Sequence, residues 1–303
     1  MEDRFQQLLE KAIQMNATDI HLDNDGNKVT IGFRVNGNIL AIESLKDDSK
    51  LFSYLMYLAN LDLTNQIKPK TGNFEYVLEN IRLSLRIAYM KSFLTTSCVI
   101  RILNHQLNLN IDNLSKDIND VNYFKKIKKL KNGLVLISGP TGSGKTTSLY
   151  TLLNSMSEKK IFTIEDPIEV YSDKIVQLAV NESIGLNYEA CLKQLLRHDP
   201  DLIVIGEIRD ENTANIALKA AITGHLVLAT IHAFNSVTTI LRMVDLKVNE
   251  LMLQDILKGI ISQRIIENNK EKYAIFEICD DKELEYYFRH KAFRKSFRNN
   301  PLF

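Results

Sequence analysis

The stretch that most constrains this 303-residue chain is Leu134–Ser138 running straight into Gly139-Pro140-Thr141-Gly142-Ser143-Gly144-Lys145-Thr146. An aliphatic run, then G-x-x-x-x-G-K-[ST], then a helical pattern demands a strand, a tight loop and a helix in that order. Glycines let such a loop close around an anion with its N–H groups pointing inward. The helix opening near Lys145 aims its unpaired N–H groups and positive dipole end at the same point. In this setting Gly139 through Thr147 cradle a nucleotide's phosphates. Lys145 brings a point charge to the β- and γ-phosphates, and the Thr146 hydroxyl can ligate Mg²⁺. A chance glycine-rich turn is the competing explanation, and the flanking strand and helix weigh against it.

The runs Leu134–Ile137, Ile161–Ile164, Leu202–Ile205 and Leu226–Ala229 are short, aliphatic and separated by helical stretches. They suit strands of a parallel sheet buried on both faces. Asp210 predicts a helix start. Ala214, Ala217, Leu218, Ala221 and Ile222 form its buried side, and Gly224 its stop. Two acidic clusters follow strands: Glu165-Asp166-Pro167-Ile168-Glu169, and Glu207 in Gly206-Glu207-Ile208-Arg209-Asp210. Carboxylates at strand ends of an open α/β sheet lie where ligands bind; helix-capping or loop acids are the alternative.

Before residue 105 the pattern differs. Phe5, Leu8, Leu9, Ala12 and Ile13 fall at helical spacing, and Val29, Ile31, Phe33 and Val35 at strand spacing. Asn36-Gly37 is a hairpin turn with Ile39–Ile42 returning, and 51–61 reads as helix. Ile81, Leu83, Leu85 and Ile87 alternate with Arg82, Ser84 and Arg86, which puts the arginines opposite the core; Val99–Leu103 adds a strand carrying Arg101. The expected organisation is an α+β domain over 1–104, a polar linker over 105–116 and an α/β domain over 117–303.

With 38 basic and 37 acidic residues, the chain has no overall electrostatic grip on nucleic acid or anionic lipid. Cys98, Cys191 and Cys279 are far apart and form no CxxC pair, which speaks against a zinc ribbon or disulfide framework. The N-terminus lacks the pattern of a secretory signal, and no run approaches a membrane span. The expected location is the cytoplasm, at the membrane only through partners.

These residues resemble the secretion ATPases of type II secretion, type IV pilus and competence systems. Thr163–Glu169 is similar to that family's Asp box, Asp199–Asp210 to its Walker B segment and Thr223–His232 to its His box; Ala17–His21 and Phe33–Gly37 correspond in the N-terminal part. The resemblance implies a RecA-like P-loop ATPase domain behind a smaller PAS-like domain. It implies that Glu207 activates the attacking water, that Glu165 and Glu169 act on the Mg²⁺ and water network, and that His232 senses the γ-phosphate. Arg86 and Arg101 match arginines that reach toward the nucleotide, with Arg34, Arg82 and His225 as secondary candidates. It also implies a homo-hexamer driving a polytopic inner-membrane platform protein, with no direct nucleic-acid binding. The four-cysteine metal module of many members is missing after Gln263-Arg264, so no structural zinc is expected. Lacking that module and the docking domain of larger relatives, the chain looks most like the compact competence pseudopilus subfamily.

Two basic stretches invite other readings. Lys125, Lys126, Lys128, Lys129 and Lys131 interleave with Phe124, Ile127 and Leu130, which favours a helix with a solvated lysine face over a contact for an acidic partner. Residues 288–298 alternate phenylalanines with basic residues, which favours an amphipathic helix on its own domain over a nucleic-acid or membrane contact. Two other functions compete: a conjugation-type or DNA-translocating ATPase, and a nucleotide-gated assembly protein with little turnover.

Overall fold

The structure is a computed structural model that describes residues 1–64, 68–78, 81–103, 109–267 and 272–291. Within the expected linker, 105–108 lie outside the described residues, as do 292–298 of the basic aromatic stretch and the Arg82 side chain. By their contacts, residues divide into two units: Met1–Gln106 with Glu169–Tyr171, and Leu107–Ile168 with Ser172–Phe303.

The first unit is an antiparallel sheet with two helices. α1 (Glu2–Gln14) leads into β1 (Asp19–Asn24), β2 (Val29–Val35) and β3 (Asn38–Ile42). α2 (Leu51–Leu58), β4 (Lys70–Leu78), β5 (Ile81–Lys91) and β6 (Thr96–Ile102) complete it in the order β3-β2-β1-β6-β5-β4. Asn36 and Gly37, both at positive φ, make the expected β2–β3 turn. Phe5, Leu8, Leu9 and Ala12 of α1 and Leu51, Phe52, Leu55 and Met56 of α2 bury their apolar stripes with Phe33, Leu83, Leu85 and Ile87. α2 stops three residues short of expectation, as Asn60 turns left-handed. β1 and β4 had no counterpart in the alternation: each mixes a few apolar residues with Asp, Asn, Lys or Gly, and pairing on both sides holds β1 in place.

The second unit is built on a seven-stranded sheet ordered β13-β12-β7-β11-β10-β8-β9. The chain runs α3 (Ile118–Ile127), β7 (Gly133–Ser138), α4 (Lys145–Asn154), β8 (Ile161–Glu165) and β9 (Val176–Ala179). Then come α5 (Tyr188–Leu195), β10 (Leu202–Ile208), α6 (Glu211–Ile222), β11 (Leu226–Ile231), α7 (Ser236–Asp245) and α8 (Glu250–Ile256). β12 (Leu257–Glu267), β13 (Lys272–Cys279) and α9 (Asp281–His290) end the described part. All neighbours are parallel except β12 and β13. β7, β8 and β11 are buried along their whole length, as their aliphatic runs require.

Several details depart from expectation. Gln263 and Arg264, to which the sequence assigned no element, lie on β12, where the β-branched Ile260, Ile261, Ile265 and Ile266 favour a strand. Asp210 does cap α6, its side chain accepting from Thr213 N at 2.8 Å, but Ile222 is exposed at the last turn. α3 ends at Ile127, so Leu130 is not on the helix. Its lysines are tied within the fold, Lys125 to Asp112 at 2.6 Å and Lys126 to Asp281 at 2.7 Å.

One irregularity aims a site residue. The pairing of β10 with β11 slips between Ile205 and Ile208, so Gly206 and Glu207 together oppose Thr230, whose hydroxyl donates to Gly206 O. Such a bulge bends the strand and re-aims the side chains beyond it. On its other side Gly206 packs against Glu165: a Cβ there would lie 2.9 Å from Glu165 Cγ. We expect Gly206→Ala to lower stability by about 1–3 kcal/mol through overpacking. Denaturant melts of parent and variant measure this; equal stability would show that the strand ends can part without cost.

Candidate nucleotide site

Because β12, β7, β11, β10 and β8 run in one direction, their carboxyl ends share one edge of the sheet. Ser138, the last residue of β7, stands level with Ile231 of β11 and with Ser262 of β12. Gly139 and His232 therefore leave the sheet at the same level, beside Gln263 of β12, and Glu165 and Glu207 lie at the ends of the next strands along. A buried hydrogen bond of 2.8 Å between the Ser138 and Ser262 hydroxyls fastens β7 to β12 just beneath the loop.

The loop needs its glycines for measurable reasons. A Cβ on Gly139 would sit 2.5 Å from both Ser143 Oγ and Gln263 O. Gly144 has φ +82°, and a Cβ there would meet Gln263 Nε2 at 2.9 Å. Gly144 is also where α4 begins, and it offers no side chain to the first-turn N–H groups. Every other α-helix described in this unit starts on an Asp or Asn whose side chain accepts from its first turn. α4 thus presents its orphan N–H groups and dipole to whatever the loop encloses. Lys145 is buried, and its Nζ donates to Gly139 O at 2.9 Å and to Pro140 O at 3.0 Å, which places the ammonium against the loop. The buried Ser143 hydroxyl has no partner among the described residues. Charge and donors both fit a polyphosphate.

A magnesium ion shared with phosphates needs only one or two protein oxygens. Thr146, half-buried in the first turn of α4, and Glu165 are suited to that, directly or across water. Among the described residues no group of three or more His, Cys, Asp or Glu is placed to hold a metal without such a ligand.

Glu165 is buried at the end of β8. Its Oε1 accepts from Tyr150 Oη and Thr163 Oγ1, each at 2.6 Å, and from Gln177 Nε2 at 3.3 Å. Glu207 is partly exposed. His232 Nε2 stands 3.0 Å from its Oε1, and Arg209 Nε donates to Oε2 at 2.7 Å. Arg209 also reaches the Asp166 carboxylate, 3.8 Å away, so it spans the ends of β10 and β8. The hydrogen bond to Glu207 outweighs burial and raises the Arg209 pKa, which keeps the guanidinium charged. Burial first, then the Asp166 carboxylate, pushes the nearby Tyr188 phenol up to about 12.

The fold therefore gathers Gly139–Thr147, Glu165, Glu207 and His232 at one sheet edge. His225 is not among them: it precedes β11 at the opposite end of that strand, where its Nδ1 lies 3.0 Å from Thr223 Oγ1. Glu169 falls in the short segment counted with the first unit. Arg86 and Arg101 are cross-strand partners in the first sheet, and Asp19 is paired in register with both Arg101 and Arg34. The Asp19 carboxylate takes Arg101 Nε at 2.7 Å and Thr18 Oγ1 at 2.8 Å. Burial alone would raise the Asp19 pKa; these hydrogen bonds prevail and hold it low. Sequence reasoning missed Arg209, whose place two residues beyond Glu207 was a usable signal. It also missed the parts that Tyr150, Gln177 and Gln263 play, because their partners lie on other elements and leave no local pattern.

Comparison with known proteins agrees with this geometry. The pattern of the type II/IV secretion system protein family matches residues 1–296. Competence protein ComGA of Halalkalibacterium halodurans is 35% identical, over 94% of this chain and 89% of that protein. Type II secretion system protein E of Xanthomonas campestris pv. campestris is 33% identical over 88% of this chain, which spans only 49% of that longer protein. The crystal structure of the pilus retraction motor PilT with bound ADP superposes with a TM-score of 0.74 at 26% identity, covering 94% of this chain and 88% of that one. A phosphate loop, an acidic pair and a histidine on one edge of a RecA-like sheet thus occur in a chain that belongs to the type II/IV secretion system protein family.

Proposed function

We propose that this chain is the ATP-hydrolysing motor subunit of a competence-type pseudopilus assembly machine. The observation that carries the reading is the uncapped start of α4, wrapped by the glycine loop and Lys145 and set on the same sheet edge as Glu207 and His232. Phosphate oxygens rest on the backbone N–H groups that the loop 139–147 carries, all but Pro140, and Lys145 turns its ammonium from the loop carbonyls to the β- and γ-phosphates. Magnesium, held by the Thr146 hydroxyl and through water by Glu165, would supply positive charge to the phosphate oxygens when bound. Glu207 takes the proton of the attacking water. His232, beside it, hydrogen-bonds the γ-phosphate, and Arg209 holds the carboxylate in place. Glu169 tunes the water network. Arg86 and Arg101 contribute permanent, planar positive charge to the phosphoryl group in flight.

The setting of the work is supported by the relatives: ComGA is named for competence, PilT for pilus retraction and protein E for type II secretion. In that setting a homo-hexameric ring closes in turn on ATP and opens on ADP, and the differential affinity for the two nucleotides drives the motion. The ring acts in the cytoplasm on a polytopic inner-membrane platform protein and does not touch nucleic acid itself. Among the described residues no helix is long and apolar enough to cross a membrane.

Two variants test the chemistry. Lys145→Ala removes charge-assisted hydrogen bonds of about 1.5–3 kcal/mol, so ATP affinity should fall roughly 10- to 100-fold in equilibrium binding. Glu207→Gln should still bind ATP while its steady-state hydrolysis drops roughly 100-fold or more, the usual scale for a lost general base. A Gln variant that hydrolyses like the parent would remove Glu207 from the catalytic role.

A further inference from the structure

The buried hydrogen bonds behind Glu165 lead to a residue on the phosphate-binding helix. Ser172 N donates to Gln177 Oε1 at 2.9 Å, which fixes the orientation of that amide. Gln177 Nε2 therefore faces Tyr150, donating to its Oη at 2.6 Å. With that lone pair taken, the phenol proton goes to Glu165 Oε1, 2.6 Å away. Tyr150 is 4% exposed and sits on α4, the helix that opens with Lys145 and Thr146. Burial, foremost, and the neighbouring Glu165 carboxylate raise the Tyr150 pKa, so the hydroxyl stays a donor. On its far side, Glu165 Cγ lies against the backbone of Gly206. The carboxylate is thus gripped at Oε1 by three side chains and packed along its stem.

We propose that Tyr150 is a positioning residue, setting the rotation of the Glu165 carboxylate from the same helix that begins at the phosphate loop. The inference rests on Glu165 acting in the metal and water network. Its physical content is that the acid has little freedom of its own: a shift of α4 on nucleotide binding carries the Tyr150 hydroxyl, and with it the Glu165 carboxylate. A carboxylate left to turn in a half-satisfied pocket would reach its reactive geometry only part of the time.

Tyr150→Phe keeps the ring and removes the donor. We expect kcat to fall roughly tenfold or more, the scale of one lost charge-assisted hydrogen bond, with KM for ATP within about twofold of the parent. Glu165→Gln should lower kcat at least as far. The double variant should be no worse than Glu165→Gln alone, because both changes act through one group. A Tyr150→Phe enzyme with near-parental kcat beside an impaired Glu165→Gln overturns the proposal, as do losses that multiply in the double variant. A fully active Glu165→Gln overturns the underlying assignment of Glu165, and the proposal with it, and is read from that single variant. Should Tyr150→Phe fail to fold, Gln177→Leu carries the test, since it frees the phenol to turn away. Lower kcat at unchanged KM then supports the proposal, and unchanged kcat overturns it.

Discussion

A parallel sheet buried on both faces leaves polar chemistry nowhere to sit except the ends of its strands. β7, β8 and β11 have no exposed residue along their length, so the phosphate loop, Glu165 and His232 are all expelled to the carboxyl edge. Register then decides who meets whom. Ser138, Ser262 and Ile231 stand level, and the slip in β10 swings Glu207 toward His232. The site is a by-product of how aliphatic ladders pack, trimmed by a single extra residue in one strand.

The acids at that edge are treated unequally. Glu165 is buried and held by neutral donors, whereas Glu207 is partly exposed and flanked by a guanidinium and an imidazole. A buried carboxylate that accepts from hydroxyls is held in a fixed geometry. One shared between Arg209 and His232 sits in a more polar setting whose partners can rearrange around a reacting water. The first unit repeats the theme, with Asp19 buried among arginines that it aligns.

The elements that were legible in the sequence are those where one physical signal dominates. The phosphate loop, the four aliphatic strands, the Asn36-Gly37 turn and the Asp210 cap each follow from a rule that acts within a few residues. β1, β4 and β9 were silent because pairing with a neighbouring strand holds them and local propensity does not. His232 was expected at the site and His225 was the weaker candidate; the direction of β11 separates them by placing one after the strand and the other before it. The partners of Glu165 were invisible in the sequence, since Tyr150 and Gln177 acquire meaning only through contacts made across elements.

The bare start of α4 has a consequence for the energetics of the whole subunit. A side-chain cap is worth about 1 kcal/mol, and this protein forgoes one at the helix beneath its most conspicuous loop. On the proposed reading of this site, a soluble triphosphate takes the place of that stabiliser, so ligand and polypeptide complete a single architecture between them. Each round of turnover then amounts to installing and withdrawing a structural part, and the rigidity of this region becomes a variable set by the cell's adenylate pool.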